Sequence, residues 1–476
     1  MIAQAAAGGL RGVAAGGVTV FRGVPYAAAP VGELRFRPPE AAPRWAGLRE
    51  AALHGPIAPQ APSRLGVAMG HFDRPQDEDC LTLTIWTPAV SGSRAVLVWL
   101  HGGAWISGAG SLDWYDGANL AREGDIVVVG VNYRLGALGY LHHPGISPGN
   151  LGTADQAAAL AWVRDNIAAF GGDPDRVTLM GQSAGAASIG RLLLDPVPRG
   201  MFGRVILQSG SFGRPARTLA EAAALGGQYM RLLGVDPEAA GAGAAMREME
   251  VARMVEAQGA LAQANARFGE TTPAFMPALE AALSQDGLIA AIAAAAGPMA
   301  VLIGVTREEV HAFYAADPGM AAPDAALAAA RFAGRREALA ARRPGGDVLD
   351  WLADLASEET FIRPAMQLAG TLGGPVYAYQ FDWSPPGNRF KACHCIELPF
   401  VFGTFGAFRG AGMLAGGDRG FMAALSAIVR RAWIDFVRDG APGPGWAAYD
   451  TARRATMRFD TVCEISGDPA GLGWRQ

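Results

Sequence analysis

Three short stretches concentrate the residues able to do covalent chemistry. The first is Gly181-Gln182-Ser183-Ala184-Gly185, a G-x-S-x-G pattern inside VTLMGQSAGAASIG. The second is LVWLHGGAWISG, where His101 precedes Gly102-Gly103-Ala104 and Trp105. The third is KACHCIELPF, which holds His394 between Cys393 and Cys395. A serine hydroxyl is a weak nucleophile near neutral pH. Ser183 would need a base within hydrogen-bond reach and a group to orient that base. It would also need donors for the oxyanion formed when it attacks a carbonyl. The HGG-type loop suits that last task, because small side chains let backbone N–H groups approach a substrate oxygen. The Cys-His-Cys triplet reads three ways: metal ligands, a redox pair around a histidine, or a base with two incidental neighbours. A zinc site wants four tetrahedral ligands, usually as spaced pairs. The chain has four cysteines and seven histidines, and no second cluster stands beside the triplet. No metal and no cofactor is expected.

These residues need elements to position them. The runs 95–100, 126–133, 176–181, 204–210, 300–306 and 375–383 are rich in β-branched and aromatic residues and nearly continuous. That is the pattern of strands buried on both faces. Helical stretches lie between them. TADQAAALAWVRDNIAAF (153–170) has Thr153 as a cap, and GFMAALSAIVRRAWIDFVRDG (420–440) ends at Gly440. Alternation of strand and helix predicts an α/β fold with a mostly parallel sheet. Ser183 falls between a buried strand and a helix opening with small residues, the strand–turn–helix setting of a nucleophile elbow. Segments 58–78, 214–299 and 311–374 interrupt the pattern and read as cap or specificity insertions within one catalytic domain spanning 1–476.

Composition narrows the function. Half the 476 residues are hydrophobic and 18% are charged, as in a globular protein. The formal net charge is -4, with 40 basic and 44 acidic residues dispersed, so no basic patch marks a nucleic-acid binder. No apolar run reaches the roughly 18 residues of a membrane helix, and the N-terminus lacks the features of a signal peptide. Cys80, Cys393, Cys395 and Cys463 are too sparse for a disulfide framework. Reduced thiols in a cytoplasmic protein are expected, with a Cys80–Cys463 pair the only pairing left open. A monomer or small homo-oligomer is expected.

The sequence resembles the type-B carboxylesterase/lipase family, and within it the bacterial para-nitrobenzyl esterase-like carboxylesterases. The resemblance rests on FRGVPYAAAPVGELRFRPP, DEDCLTLTIWTP, VLVWLHGGAWISG, VVVGVNYRLGALGYL, GNLGTADQAAALAWVRDNIAAFGGDPDRVTLMGQSAGAAS and HCIELPFVFG, in family order from 21 to 403. It implies the α/β-hydrolase fold and the order Ser183, Glu309, His394 for nucleophile, acid and base. The acid comes from IGVTREEVHAF, where Val310 replaces the family's usual glycine and Glu308 is the fallback. The base is the histidine of HCIELPFVFG, which makes Cys393 and Cys395 neighbours without required chemistry. By family register the amides of Gly103, Ala104 and Ala184 form the oxyanion hole, with Gly102 a poorer donor.

The implied reaction is hydrolysis of apolar or aryl carboxylic esters through an acyl-serine. The same triad would also suit carbamates, amides, thioesters or a lipase's lipids. A non-enzymatic cholinesterase-like binding module is disfavoured, because all three triad positions are filled. Trp105, Phe212, Phe275, Phe313 and Phe361 are the expected pocket aromatics, and a small-molecule ester the expected partner. Gln182 stands where many relatives carry glutamate, which removes a charge that favours cationic substrates. Arg214, Arg217, Arg363 and Arg389 are assigned to the exposed surface.

Overall fold

The computed structural model describes residues 1–266, 272–316 and 325–469. Among the described residues, eleven strands form one sheet. In chain order they are β1 (Val13–Ala15), β2 (Val18–Pro25), β3 (Thr82–Thr87), β4 (Arg94–Leu100), β5 (Val127–Val131), β6 (Gly172–Gln182), β7 (Arg204–Gln208), β8 (Ala300–Thr306), β9 (Val376–Phe381), β10 (Ala455–Phe459) and β11 (Glu464–Gly467). Across the sheet the order is β11-β10-β9-β8-β7-β6-β4-β5-β3-β2-β1. The strands from β10 to β5 pair in parallel. Antiparallel pairs finish both edges.

The continuous apolar runs have their cause in the layers around them. Along β4, Val96, Val98 and Leu100 enter one core and Ala95, Leu97 and Trp99 the other. The first face is covered by α1 (Leu151–Asn166), α2 (Ala184–Leu194), α3 (Gln285–Ala296) and α4 (Arg363–Thr371), through residues such as Leu160, Ile189, Ile292 and Leu368. The second is covered by α5 (Arg419–Asp439), through Leu425, Val429, Trp433 and Phe436. A strand covered on both faces cannot alternate apolar with polar. Each fully buried Val or Leu contributes about 1.5–3 kcal/mol, so an aspartate at Leu97 would unfold the centre of the sheet.

Thr153 does not cap α1. The helix begins at Leu151 after Asn150, whose backbone is left-handed at φ 54°. Asn150 tolerates that conformation, and its side-chain amide pairs with both backbone groups of Ala278. The helix then tightens into a 3-10 turn at Ile167–Phe170. Helix α5 stops at Gly440, at φ 80°, as its sequence predicts.

Of the three expected insertions, 58–78 holds one short helix, Gly66–Met69. The other two are largely helical, and their residues 267–271 and 317–324 lie outside the described residues. Their last helices, α3 and α4, pack on the sheet and not above it. Among the described residues no helix is long and apolar enough to cross a membrane. All four cysteines are free thiols, so Cys80 and Cys463 do not pair.

The chain goes from β4 to β5 on one side, then crosses back to place β6 on the other. That reversal is a topological switch point, and in such sheets ligands bind at the carboxyl ends of the strands beside it, here β4 and β6. His101 and Ser183 are the first residues beyond those ends.

Candidate active site

Ser183 occupies the corner between β6 and α2 with φ 57° and ψ -120°, far from both strand and helix geometry. Such strain amounts to about 1–3 kcal/mol and persists only where the surroundings enforce it. Here the Ser183 amide donates to Gln208 O at 2.8 Å, and Ala187 N donates to Ser183 O at 2.9 Å. Helix α2 comes so close to β4 that a Cβ on Gly185 would stand 2.1 Å from Leu100 O. The glycine after the serine is a packing requirement.

The loop after β4 is also strained. Gly103, Ala104 and Trp105 take φ of 112°, 54° and 59° in succession. The fold holds them by backbone bonds from Ile106 and Ser107 to Gly103 O, and from Gly136 to Trp105 O. Gln60 clamps Gly108 from both sides, donating to its carbonyl and accepting from its amide. His101 is fully buried and stacks on Tyr133 at 4.3 Å. Burial pulls its pKa down to about 4, so it is a neutral scaffold. The amides of Gly103, Ala104 and Ala184 carry no hydrogen-bond partner among the described residues.

Glu309 and His394 meet through two loops, one after β8 and one after β9. The Glu309 carboxylate accepts the Thr306 amide at 2.8 Å and, with its other oxygen, the His394 Nδ1–H. Both side chains are buried. The loops are stitched by Glu308 N to Ala392 O at 2.9 Å and His394 N to Glu309 O at 3.2 Å, around a parallel bridge between Glu308 and Cys393. Glu308 points elsewhere. Its carboxylate accepts the Ala392 amide at 3.1 Å and pairs with Arg343 at 3.2 Å. Val310, in place of the family's glycine, donates its amide to Ser357 Oγ.

His394 Nε2 lies 3.2 Å from Gln182 Nε2, whose amide also reaches Cys395 Sγ at 3.3 Å. With Nδ1–H donated to Glu309, Nε2 is a lone-pair acceptor, the tautomer a base requires. No hydrogen bond joins it to Ser183 Oγ among the described residues. Phe361 and Phe313 flank the imidazole, with centroids at 4.9 and 5.4 Å. Trp105, whose Nε1 donates to Ser188 Oγ, and Phe212 line a small cavity of about 20 Å³ beside α2. Phe275 packs edge-on against Tyr229.

The thiols of Cys393 and Cys395 are buried, and burial pushes both well above the ordinary range, followed by the charge of Glu397. Both ring nitrogens of His394 have other partners. No group of three or more His, Cys, Asp or Glu side chains stands ready for a metal ion among the described residues. Glu397 had no expected role. It is buried, accepts from Gln208 at 3.3 Å through Oε1, and has no partner at Oε2 among the described residues. Burial and the nearby Glu309 charge push it up to about 8. Two of the four arginines assigned to the surface, Arg214 and Arg217, are half-buried instead.

Comparison with known proteins supplies the family. The model of the carboxylesterase family matches residues 1–467. The chain is 38% identical to the phenmedipham hydrolase of Pseudarthrobacter oxydans, over 98% of this chain and 97% of that protein. It is 36% identical to the para-nitrobenzyl esterase of Bacillus subtilis (strain 168), over 97% and 95%. A solved PNB esterase structure superposes with a TM-score of 0.86 at 33% identity, covering 98% of this chain and 97% of the other.

Proposed function

The chain belongs to the carboxylesterase family and is a carboxylic ester hydrolase, and on that premise we propose that Ser183, His394 and Glu309 carry the reaction by two acyl transfers. Ser183 turns its hydroxyl toward His394 Nε2, which takes the proton as Oγ attacks the ester carbonyl. Glu309 holds the Nδ1–H tautomer and stabilises the imidazolium. The unpaired amides of Gly103, Ala104 and Ala184 receive the oxyanion. His394 then gives the proton to the departing alcohol, and water attacks the acyl-enzyme with His394 again as base.

The observation that carries this reading is the buried Glu309–His394 pair beside a serine held in a strained strand–helix corner. The test is intact mass after exposure to an aryl phosphonate, together with para-nitrophenyl butyrate hydrolysis. A single adduct on the wild type, absent from Ser183→Ala along with turnover, is the expected result. An adduct retained by Ser183→Ala would move the nucleophile elsewhere.

The phenmedipham hydrolase relative favours aryl carbamates as a second substrate class for the same residues. Steady turnover of an aryl carbamate, without accumulation of a stable carbamoyl-enzyme, would support it. Neutral Gln182 next to the nucleophile argues against a preference for choline esters. Insertions 58–78, 214–299 and 311–374 are read as the carriers of specificity. Free thiols and the absence of a basic patch fit a cytoplasmic monomer or small homo-oligomer that engages no nucleic acid.

A further inference from the structure

Arg191 is charged, half-buried with its Nη1 shut off from solvent, and has no counter-charge among the described residues. It lies on α2 with Ala187 between it and Ser183, at four-residue spacing along one helix face. At 1.5 Å per residue, Ala187 is about 6 Å and Arg191 about 12 Å along the axis from the nucleophile. Both line the small cavity already described, together with Trp105, Phe212, Met276 and Arg214. Among the described residues that wall holds two guanidinium groups and no carboxylate.

The Nη1 of Arg191 is shut off from solvent and has no hydrogen-bond partner among the described residues. No salt bridge to Arg191 exists among the described residues. Burial alone lowers its pKa to about 10, so it keeps its charge at neutral pH. Two of the other enclosed arginines are compensated by acids: Arg35 by Glu78, and Arg134 by Asp155 through a two-pronged contact. A buried charge is ordinarily paired, because desolvation without a partner is expensive. An enclosed guanidinium without an acid, on the helix that carries the nucleophile, is therefore suited to an anion supplied from outside.

Resting on the reading of Ser183 as nucleophile, we propose that Arg191 is a substrate-recognition residue for a carboxylate carried on the ester, remote from the scissile bond. Trp105 and Phe212 would hold the apolar spacer between the two groups. The carboxylate can sit on the acyl or the alcohol portion, and guanidinium pairs with either in the same way.

The test compares kcat/KM for two anionic esters, each against its neutral primary-amide counterpart. Para-nitrophenyl hydrogen suberate carries the carboxylate on the acyl arm, and the butyrate ester of 4-hydroxyphenylacetate carries it on the alcohol arm. Wild type should favour the carboxylate over the amide on one arm, which identifies the arm. In Arg191→Met that ester should lose about tenfold to hundredfold in kcat/KM, the usual range for a charged hydrogen bond. Its amide counterpart should stay within about twofold, and Arg191→Lys should recover part of the preference. Wild type turning over both amides through Ser183, with no carboxylate preference on either arm, would overturn the inference and leave the esterase reading intact. Equal losses on both ester classes in Arg191→Met would also overturn it, by reducing Arg191 to a packing residue. If Arg191→Met does not fold, the wild-type ratio alone decides. Absence of any Ser183-dependent turnover would remove the esterase reading and this inference with it.

Discussion

Replacing Gln182 with glutamate tests the geometry around His394, the proposed base, most directly. Gln182 Nε2 stands 3.2 Å from His394 Nε2, so Gln182→Glu sets a carboxylate where a neutral amide now donates. At that separation, a charge pair is worth roughly 1.3 kcal/mol in a water-like dielectric and roughly 5 kcal/mol at an effective dielectric of 20. At about 1.4 kcal/mol per pH unit, and with some water in the crevice, we expect a displacement of about one to three pH units. The sign is fixed, because a carboxylate favours the imidazolium and a protonated base cannot take the serine proton. The acid limb of kcat/KM for para-nitrophenyl butyrate should therefore move to higher pH, with the loss greatest on the acid side and activity recovered only above the displaced limb. Gln182→Met, which removes the donor without adding charge, should shift the limb by less than about half a pH unit. A folded, active Gln182→Glu enzyme with the wild-type limb would mean that Gln182 does not face the base. The assignment of His394 as base would then need revision.

The two adjacent glutamates should behave differently. Glu309→Gln should lower kcat by about 10⁴, as expected when the imidazole loses its orienting carboxylate. Glu308→Gln, which loosens only Arg343 and the Ala392 amide, should stay within about tenfold, and equal losses would refute the assignment. Gly103→Ala should lower kcat by about 10²–10³ through the oxyanion loop, since its Cβ would lie 2.0 Å from Ser107 O at a φ of 112°; wild-type kinetics would show the loop is not used. Glu397 is raised from an ordinary 4.5 to about 8. Between those values the folded state binds more protons than the unfolded one, so this group's contribution to stability falls as pH rises. The full effect is on the order of 4–5 kcal/mol. Glu397→Gln should therefore gain stability relative to wild type at pH 8 but not at pH 4.5, by urea unfolding, and parallel pH profiles for the two proteins would sink the argument.

The sheet and the serine corner were legible because their signals are local. An unbroken run such as AVLVWL has few homes other than a strand covered on both faces. A serine between small residues, after such a run, has few roles besides an elbow. Thr153 was misleading because the true cap position depends on Asn150 pairing with Ala278, a contact 128 residues away. Only the family register of IGVTREEVHAF separated Glu309 from Glu308; residue chemistry did not, since adjacent loop residues point in opposite directions for reasons set by the partner loop. Glu397 is similar: its environment comes from Gln208 and Glu309, on other strands and loops. Arg191 is the instructive omission. Its spacing from Ser183 was readable, but an arginine on a helix reads as a solvated surface residue until the absence of a counter-charge is seen.

The short ladder that joins Glu308 and Glu309 to Ala392 and His394 has a further consequence for how this enzyme could diversify. Glu309 and His394, the proposed acid and base, are 85 residues apart in the chain, yet their relative position is fixed by bonds at the neck of that long excursion. Phe313 and Phe361 against the imidazole, and Arg343 on Glu308, tie parts of the excursion back to the pair, whereas the stretch 325–340 contributes none of these contacts. Doubling the length of a flexible loop adds only about 0.6 kcal/mol of closure entropy. Helices can thus be added, removed or exchanged there at small thermodynamic expense while the proton relay keeps its dimensions. A library of variants with length changes confined to 325–340 should yield many altered substrate profiles and few dead enzymes, whereas a single residue inserted between Thr306 and Glu309 should silence nearly every one.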